Sequence, residues 1–148
     1  MKIGIDTNIL VRAITKDDTR QTLVAKNLIT KYSGMSNSIF ISDIVICELI
    51  WVLESSYKFT RYQLLETLKL LISTEEFVFS DDILTRQAVQ MFENGNADFA
   101  DYLNYLIILY MVLWLQNNFQ YELLQTALLL LKIFFFHPMF FVPFCYLK

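Results

Sequence analysis

Four acidic residues of this chain have the chemistry to hold a divalent cation: Asp6, Glu48, Asp98 and Asp101. Carboxylate oxygens are the ligands that a hard cation such as Mg²⁺ takes in proteins. Such a cation turns a bound water into hydroxide and neutralises charge that builds on phosphate oxygens. The single histidine, His137, lies far from these acids, and no glycine-rich phosphate loop is present. These residue types favour metal-assisted phosphodiester hydrolysis.

Asp6 lies at the boundary between a predicted strand and a predicted helix. The apolar residues Ile3 and Ile5 indicate a short buried strand. Thr7 and Asn8 favour a helix start because their side-chain oxygens accept hydrogen bonds from unpaired backbone N–H groups. Open α/β sheets bind their ligands at the carboxyl ends of strands. Asp6 is therefore a candidate metal ligand, and an acid that only caps the next helix fits the same pattern.

Glu48 interrupts an apolar segment that runs from Ile44 to Leu53 and is predicted to be helical. A lone carboxylate in apolar surroundings is costly unless it is paired or binds a cation. Two interpretations therefore stay open for Glu48. It is either a metal ligand or one half of a buried salt bridge to Arg12 or Lys2.

Asp98 and Asp101 lie one turn apart at a predicted helix start and therefore share one helix face. The ordinary interpretation of Asp98 is an N-cap, whereas Asp101 lies inside the helix and has less need to act as a cap. Together with Asp6 and Glu48, they would place several acids at one end of one sheet.

Strands alternate with helices through the first part of the chain, up to Asp101. Strands are predicted at 2–5, 38–42 and 76–79, and helical spacing predicts six helices between and after them. This alternation predicts an α/β fold with a central parallel sheet covered by helices on both faces. In the second helix, Leu23, Val24, Leu28 and Ile29 are expected to form the apolar face. The other local expectations are Asp43 as a helix cap, a capping box of Thr60 and Gln63, a cap at Asp81 or Asp82, and a left-handed C-cap at Gly95.

Composition adds general limits on function. The chain has 148 residues and a net charge of −3, which predicts a single domain without a generally basic surface for nucleic acids. Its two cysteines, Cys47 and Cys145, lie far apart among apolar residues. We expect free thiols in a reducing compartment rather than a disulfide. With no signal-peptide pattern at the N-terminus, a cytoplasmic location is expected.

Three segments carry the four acids, in this order: Ile5-Asp6-Thr7-Asn8-Ile9-Leu10, Cys47-Glu48-Leu49-Ile50-Trp51-Val52-Leu53 and Gly95-Asn96-Ala97-Asp98-Phe99-Ala100-Asp101-Tyr102-Leu103. Their order and spacing resemble those of PIN-domain ribonucleases, and among them the VapC-like toxins of bacterial type II toxin–antitoxin pairs. The resemblance covers residues 1–103.

The resemblance implies a PIN-like three-layer fold with a central parallel sheet flanked by helices, and Mg²⁺- or Mn²⁺-dependent cleavage of RNA. The implied metal ligands are Asp6, Glu48, Asp98 and Asp101, of which Asp6, Glu48 and Asp101 would be catalytic. Thr7 or Asn8 would orient Asp6 by hydrogen bonding. Arg12 and Lys16 could meet RNA phosphates or be ordinary solvated residues. The implied partners are a second copy of the chain and a cognate antitoxin protein.

The resemblance ends after about residue 103. PIN-domain ribonucleases continue with a strand that supplies a fourth acid and with a short basic stretch. In this chain Glu122 is the only acid after Asp101, and its surroundings differ from that strand. We therefore predict a PIN domain at residues 1–103 and an aberrant hydrophobic segment at residues 104–148.

Two hypotheses address this segment. A frameshift between about Leu103 and Gln120 in an A/T-rich gene would produce both its composition and the lost motif. The rival is a membrane segment formed by the apolar runs 105–115 and 133–147. A spanning helix needs roughly twenty apolar residues, and Lys132 separates the two runs, so membrane anchorage is not expected.

Three functions remain to be compared. The first is a divalent-metal endoribonuclease that acts as a toxin. The second is an impaired PIN domain that only dimerises or binds antitoxin. The third is a phosphatase of the haloacid-dehalogenase type, which requires a second aspartate where this chain has Asn8.

Overall fold

A computed structural model describes residues 2–118 of the chain. Its strands are Ile3–Gly4 (β1), Ile39–Ile41 (β2) and Phe77–Phe79 (β3). Its helices are Thr7–Thr15 (α1), Thr19–Lys31 (α2), Asp43–Ser55 (α3), Arg61–Ser73 (α4), Asp82–Asn94 (α5) and Phe99–Asn118 (α6). The predicted α/β fold with a central parallel sheet flanked by helices is confirmed.

The three strands form one parallel sheet in the order β1-β2-β3. Ile39 of β2 pairs with Ile3 on one side and with Phe77 on the other. Ile39 and Ile41 are completely buried, as expected for β-branched residues in the middle strand of a covered parallel sheet. Because the strands are parallel, their carboxyl ends meet at one edge, where acidic residues follow each strand: Asp6, Asp43 and Asp81.

The core forms where the helices pack on one another and on the sheet. Helix α1 packs on α2 and α3, α3 on α4, α4 on α5, and α5 on β3. The largest fully buried side chains are aliphatic apart from one aromatic ring and one threonine: Leu10, Ile39, Ile41, Ile46, Leu49, Leu53, Leu64, Leu68, Thr85, Phe99 and Leu103. Helix α4 buries Leu64, Leu68 and Leu71.

The buried face of α2 differs from the prediction. Leu23 and Val24 are each 59% exposed, whereas Thr22 and Ala25 are buried. The hydroxyl of Thr22 donates a hydrogen bond to the backbone carbonyl of Arg12, 3.2 Å away. This bond lies on the side of α2 that faces α1. The prediction was wrong for Leu23 and Val24, whereas Leu28 and Ile29 are half-buried.

Helix caps follow the expected chemistry with one change of residue. The Thr60–Gln63 capping box is present at the start of α4, and Asp81 caps α5. Ser42, not Asp43, caps α3, because the Ser42 side chain accepts the backbone N–H of Val45. Asp43 is instead the first residue of the helix, where its negative charge interacts favourably with the positive end of the helix dipole.

Gly95 follows α5, but it does not adopt the predicted left-handed conformation. Its φ and ψ are −114° and −172°, which is extended backbone. The glycine is needed for space, since an added Cβ would lie 1.8 Å from the hydroxyl oxygen of Tyr102. That hydroxyl accepts the backbone N–H of Ala97 at 3.1 Å. Gly95 therefore lets Tyr102 hold the segment that leads into α6.

The chain divides into two units, Met1–Asn104 and Tyr105–Lys148. The division into a PIN domain at 1–103 and an aberrant segment at 104–148 stays a prediction. Glu122, His137, Cys145 and the apolar run 133–147 lie outside the described residues. Residues Phe99–Asn117 of α6 are long and apolar enough to cross a membrane by length and composition, a criterion that core helices also meet.

We predict that Gly95→Ala destabilises the protein by about 1–3 kcal/mol, because the new methyl group forces Tyr102 or the backbone to move. Urea unfolding measures this loss. The substitution should cost less in a Tyr102→Phe background, which lacks the closest atom. Gly4→Ala is the control, since no heavy atom lies within 4 Å of its added Cβ. Equal losses for both alanine variants would contradict the steric explanation.

Candidate active site

Asp6 lies where β1 ends and α1 begins. Its carboxylate oxygen Oδ1 accepts the backbone N–H of Ile9 at 3.1 Å and so caps α1. The residue is exposed, as is its neighbour Asn8 in the first turn of α1. The capping interpretation of Asp6 is therefore correct, and the side chain also remains accessible to a ligand from solvent.

Thr7 connects this strand end to the second acid. Its buried hydroxyl donates a hydrogen bond of 2.5 Å to Oε2 of Glu48. The prediction assigned to Thr7 or Asn8 the role of orienting Asp6, whereas the Thr7 hydroxyl binds Glu48 and the Ile9 backbone binds Asp6. The contact fixes Glu48 next to the residue that follows Asp6.

The apolar residues that precede and follow Glu48 in the sequence do not surround its side chain in the structure. It lies on the exposed face of α3, together with Ile44 and Trp51, which are 78% and 46% exposed. The premise that Glu48 is a buried carboxylate was therefore wrong. The predicted salt bridge to Arg12 is also absent, because Arg12 pairs with Asp17 at 2.5 Å.

Arg12 is the centre of a polar cluster that joins α1 to the start of α2 and the end of α3. Besides Asp17, its guanidinium donates to Gln21 at 2.8 Å and to Tyr57 at 3.3 Å. Arg12 and the Tyr57 hydroxyl hold the pKa of the Asp17 carboxyl well below its usual range. These contacts hold Arg12 in an ion pair and two further hydrogen bonds, so it is not an ordinary solvated residue. A contact between Arg12 and RNA phosphates stays a prediction. Lys16 is exposed and ends α1 in a left-handed conformation.

Asp98 and Asp101 form a second acidic pair at the start of α6. The carbonyl of Asp98 accepts the backbone N–H of Tyr102 at 3.3 Å, as the residue before a helix does. Asp101 lies in the first turn of α6. The expectation that it has less need than Asp98 to act as a cap stays a prediction.

The pKa of Asp101 is raised above the ordinary aspartate value. Partial burial is the larger cause, and the negative charge of Asp98 is the second. The hydrogen bond from the Asp98 backbone acts in the opposite direction. Asp101 is thus a carboxylate whose charge is poorly compensated, which is the condition that a bound cation relieves.

Arg61 binds the segment that precedes Asp98 and Asp101, a role that no sequence pattern indicated. Its guanidinium donates to the backbone carbonyls of Phe92, Gly95 and Ala97 at 2.6, 2.9 and 3.0 Å. It also lies over the ring of Phe92, with 3.8 Å from its central carbon to the ring centroid. An arginine at a helix start ordinarily indicates only a solvated charge, so no sequence signal could have identified this role.

The predicted site residues thus form two groups. Thr7 brings Glu48 to the end of β1 beside Asp6, and the start of α6 holds Asp98 and Asp101. Within residues 2–118, no three histidine, cysteine, aspartate or glutamate side chains form a group that could hold a metal ion. The donors are nevertheless carboxylate oxygens, and Mg²⁺ is held by as few as one or two carboxylates together with waters. The residues therefore fit a hard divalent cation by chemistry.

Comparison with known protein families identifies the family of this chain. A family model described as the PIN domain matches residues 3–105. The chain belongs to the PIN-domain family. PIN domains are generally nucleases. Searches of curated proteins and of solved structures found no match.

The one cysteine in the described part of this PIN domain is unsuited to nucleophilic chemistry. Cys47 is free and half-buried in α3. Burial, and secondarily the charge of Asp43, raises the pKa of its thiol to about 11. The reactive form of cysteine is the thiolate, which is scarce at neutral pH under these conditions. The carboxylates remain the residues suited to catalysis.

We predict that Thr7→Val lowers the free energy of unfolding by about 1 kcal/mol, because it removes the hydroxyl that binds the Glu48 carboxylate. Thr7→Ser keeps the hydroxyl and should retain the hydrogen bond. The double variant Thr7→Val, Glu48→Ala tests the pairing by urea unfolding, because alanine at position 48 has no oxygen to accept the Thr7 hydroxyl. Strictly additive losses in this double-mutant cycle would contradict a direct interaction.

We predict that Asp98→Asn lowers the pKa of Asp101, because it removes the neighbouring negative charge and keeps the backbone N–H donor. Titration of the metal-free protein by carboxyl NMR measures the change. Asp6→Asn is the control, since the Asp6 charge does not contribute to the Asp101 shift. The folded protein binds this proton more tightly than the unfolded chain, so stability from this group decreases as pH rises through the raised pKa.

Proposed function

We propose that this PIN domain is a divalent-metal-dependent endoribonuclease that hydrolyses RNA phosphodiester bonds. The observation that carries the proposal is the Thr7–Glu48 hydrogen bond. This bond holds a second carboxylate at the strand end that already carries Asp6, in a chain whose family generally consists of nucleases. The cofactor proposed is Mg²⁺ or Mn²⁺.

The roles of the residues follow from their contacts. Asp6, anchored by the Ile9 backbone, and Glu48, anchored by Thr7, would hold the cation from two different elements. Asp101 would be the third acid, with Asp98 beside it, and its poorly compensated charge would gain most from a cation. When bound, the cation supplies an activated water and neutralises charge on the phosphate. Exposure of Asp6 and Glu48 leaves room for the RNA backbone to approach.

The biological role that we propose is that of a VapC-like toxin in a type II toxin–antitoxin pair. It rests on the three acidic segments and their spacing. The partners would be a cognate antitoxin protein and a second copy of the chain, in the cytoplasm. A small open reading frame directly upstream of the gene is the expected genetic signature.

A catalytically impaired PIN domain, which only dimerises or binds antitoxin, is the second candidate. It is favoured by the lack of a three-acid metal-binding group within residues 2–118. It is favoured also by the end of the family match at residue 105, before the chain itself ends. A frameshift in the gene would be the origin of the remaining segment, and translation of the other two frames past codon 101 tests it.

We predict that the full-length protein cleaves single-stranded RNA in the presence of Mn²⁺ or Mg²⁺. Asp6→Asn should lower the cleavage rate about a hundredfold or more, which is equivalent to roughly 2.7 kcal/mol of transition-state stabilisation. Asparagine keeps a side-chain oxygen that can cap α1, so the loss reports the missing charge rather than a lost cap. Asp6→Ala removes both the charge and the oxygen that caps α1. Gel assays with a labelled RNA measure the rates.

Asp18→Asn is the matched control, because Asp18 caps α2 in the same way through the backbone N–H of Gln21. This variant should cleave RNA at the wild-type rate. If wild type, Asp6→Asn and Asp6→Ala all show the same background cleavage, the enzyme proposal fails for this chain. Co-expression with the product of the upstream reading frame then tests the binding function directly.

A further inference from the structure

Arg61 is the first residue of α4, yet its side chain binds the end of a different helix and the segment after it. The Nη2 atom donates to the carbonyls of Phe92 and Gly95, and Nη1 donates to the carbonyl of Ala97. The last carbonyls of a helix have no intrahelical partner, so a cation with several donors is well suited to them. A planar guanidinium satisfies carbonyls at three positions at once.

The segment that Arg61 holds leads directly into the second acidic pair. Ala97 accepts a hydrogen bond from Arg61 through its carbonyl and donates its N–H to the Tyr102 hydroxyl. Asp98 is the next residue, and its carbonyl accepts the backbone N–H of Tyr102 at 3.3 Å. The hydrogen bonds of Ala97 and the peptide bond to Asp98 therefore connect the Arg61 guanidinium to the first turn of α6, which carries Asp101.

We propose that Arg61 is a positioning residue for the acidic pair Asp98 and Asp101, through its hydrogen bonds to the backbone of Gly95 and Ala97. The proposal rests on the nuclease function proposed above. Arg61 acts through the backbone and not by touching the cation or the RNA. A displacement of about 1 Å at a reacting group costs up to about a hundredfold in rate, so loss of this anchor has a measurable effect.

Arg61→Met is the main test variant, because methionine can keep an apolar side chain near the Phe92 ring and removes every donor. Arg61→Lys keeps one charge but cannot reproduce the planar set of donors, so it should recover only part of the function. Arg86→Met is the matched control. Arg86 donates to the carbonyl of Ile72 at 2.8 Å, near the end of α4, and therefore makes the same type of contact away from the acids.

The experiment compares these full-length variants in three measurements. The first is RNA cleavage with Mn²⁺, the second is Mn²⁺ affinity without RNA from the electron paramagnetic resonance signal of the free ion, and the third is backbone hydrogen exchange. For Arg61→Met we expect a tenfold to hundredfold lower rate and weaker Mn²⁺ binding. Exchange should accelerate in peptides covering residues 95–103, with β2 still protected. Arg61→Lys should be intermediate, and Arg86→Met should match wild type in all three.

The outcomes separate this proposal from the enzyme proposal. Wild-type rate, Mn²⁺ affinity and exchange in Arg61→Met would overturn positioning by Arg61 while the nuclease function stands. Equal loss in Arg61→Met and Arg86→Met would also overturn it, because the effect would be general destabilisation. If Arg61→Met does not fold, wild-type behaviour of Arg61→Lys in all three measurements overturns it. If the wild type cleaves RNA no faster than Asp6→Asn, the nuclease proposal fails. Mn²⁺ affinity and backbone hydrogen exchange in residues 95–103 then test the positioning role of Arg61 on their own.

Discussion

The parallel pairing of three short strands determines where Asp6, Asp43 and Asp81 lie in this PIN domain. β2 pairs with both neighbours, and its buried isoleucines fix the register through the fully covered centre of the sheet. Each strand therefore ends at the same edge, and the next helix starts there with its N–H groups exposed. Carboxylates and hydroxyls at those positions satisfy the helix starts, as Asp6, Ser42 and Asp81 do. The same edge is therefore both a set of helix caps and an acidic surface.

Sequence patterns predicted the elements well because apolar spacing, caps and strand alternation are local properties. They predicted the Thr60–Gln63 capping box and the end of α5 before Gly95 correctly. Exposure was predicted less well. Leu23 and Val24 are exposed because α2 presents small residues to α1, and Glu48 is exposed although its neighbours in sequence are apolar. Which side of a helix meets the core depends on tertiary packing that no single segment contains.

The candidate site shows the same division between local and non-local information. The acids were proposed from their residue types and spacing, and their role as metal ligands stays a prediction. Their hydrogen-bond partners were not predicted. Thr7 binds Glu48 from a distant part of the chain, and Arg61 binds carbonyls that follow a helix other than its own. Backbone carbonyls are the same in every residue type, so a contact to them leaves no pattern in the sequence. Gly95 gave a signal, but its cause is the space taken by Tyr102 and not a left-handed turn.

The two acidic pairs differ in how their charge is compensated, and this difference bears on function. Glu48 has a hydroxyl donor and solvent, while Asp101 is partly buried beside the charge of Asp98. Burial of a charge next to a like charge costs folding free energy unless a cation is present. A helix start needs only one acid as a cap, so the second acid is not explained by capping alone. Asp101 therefore carries a charge that its surroundings in the metal-free PIN domain do not compensate, and a cation bound there, as proposed above, would relieve this cost.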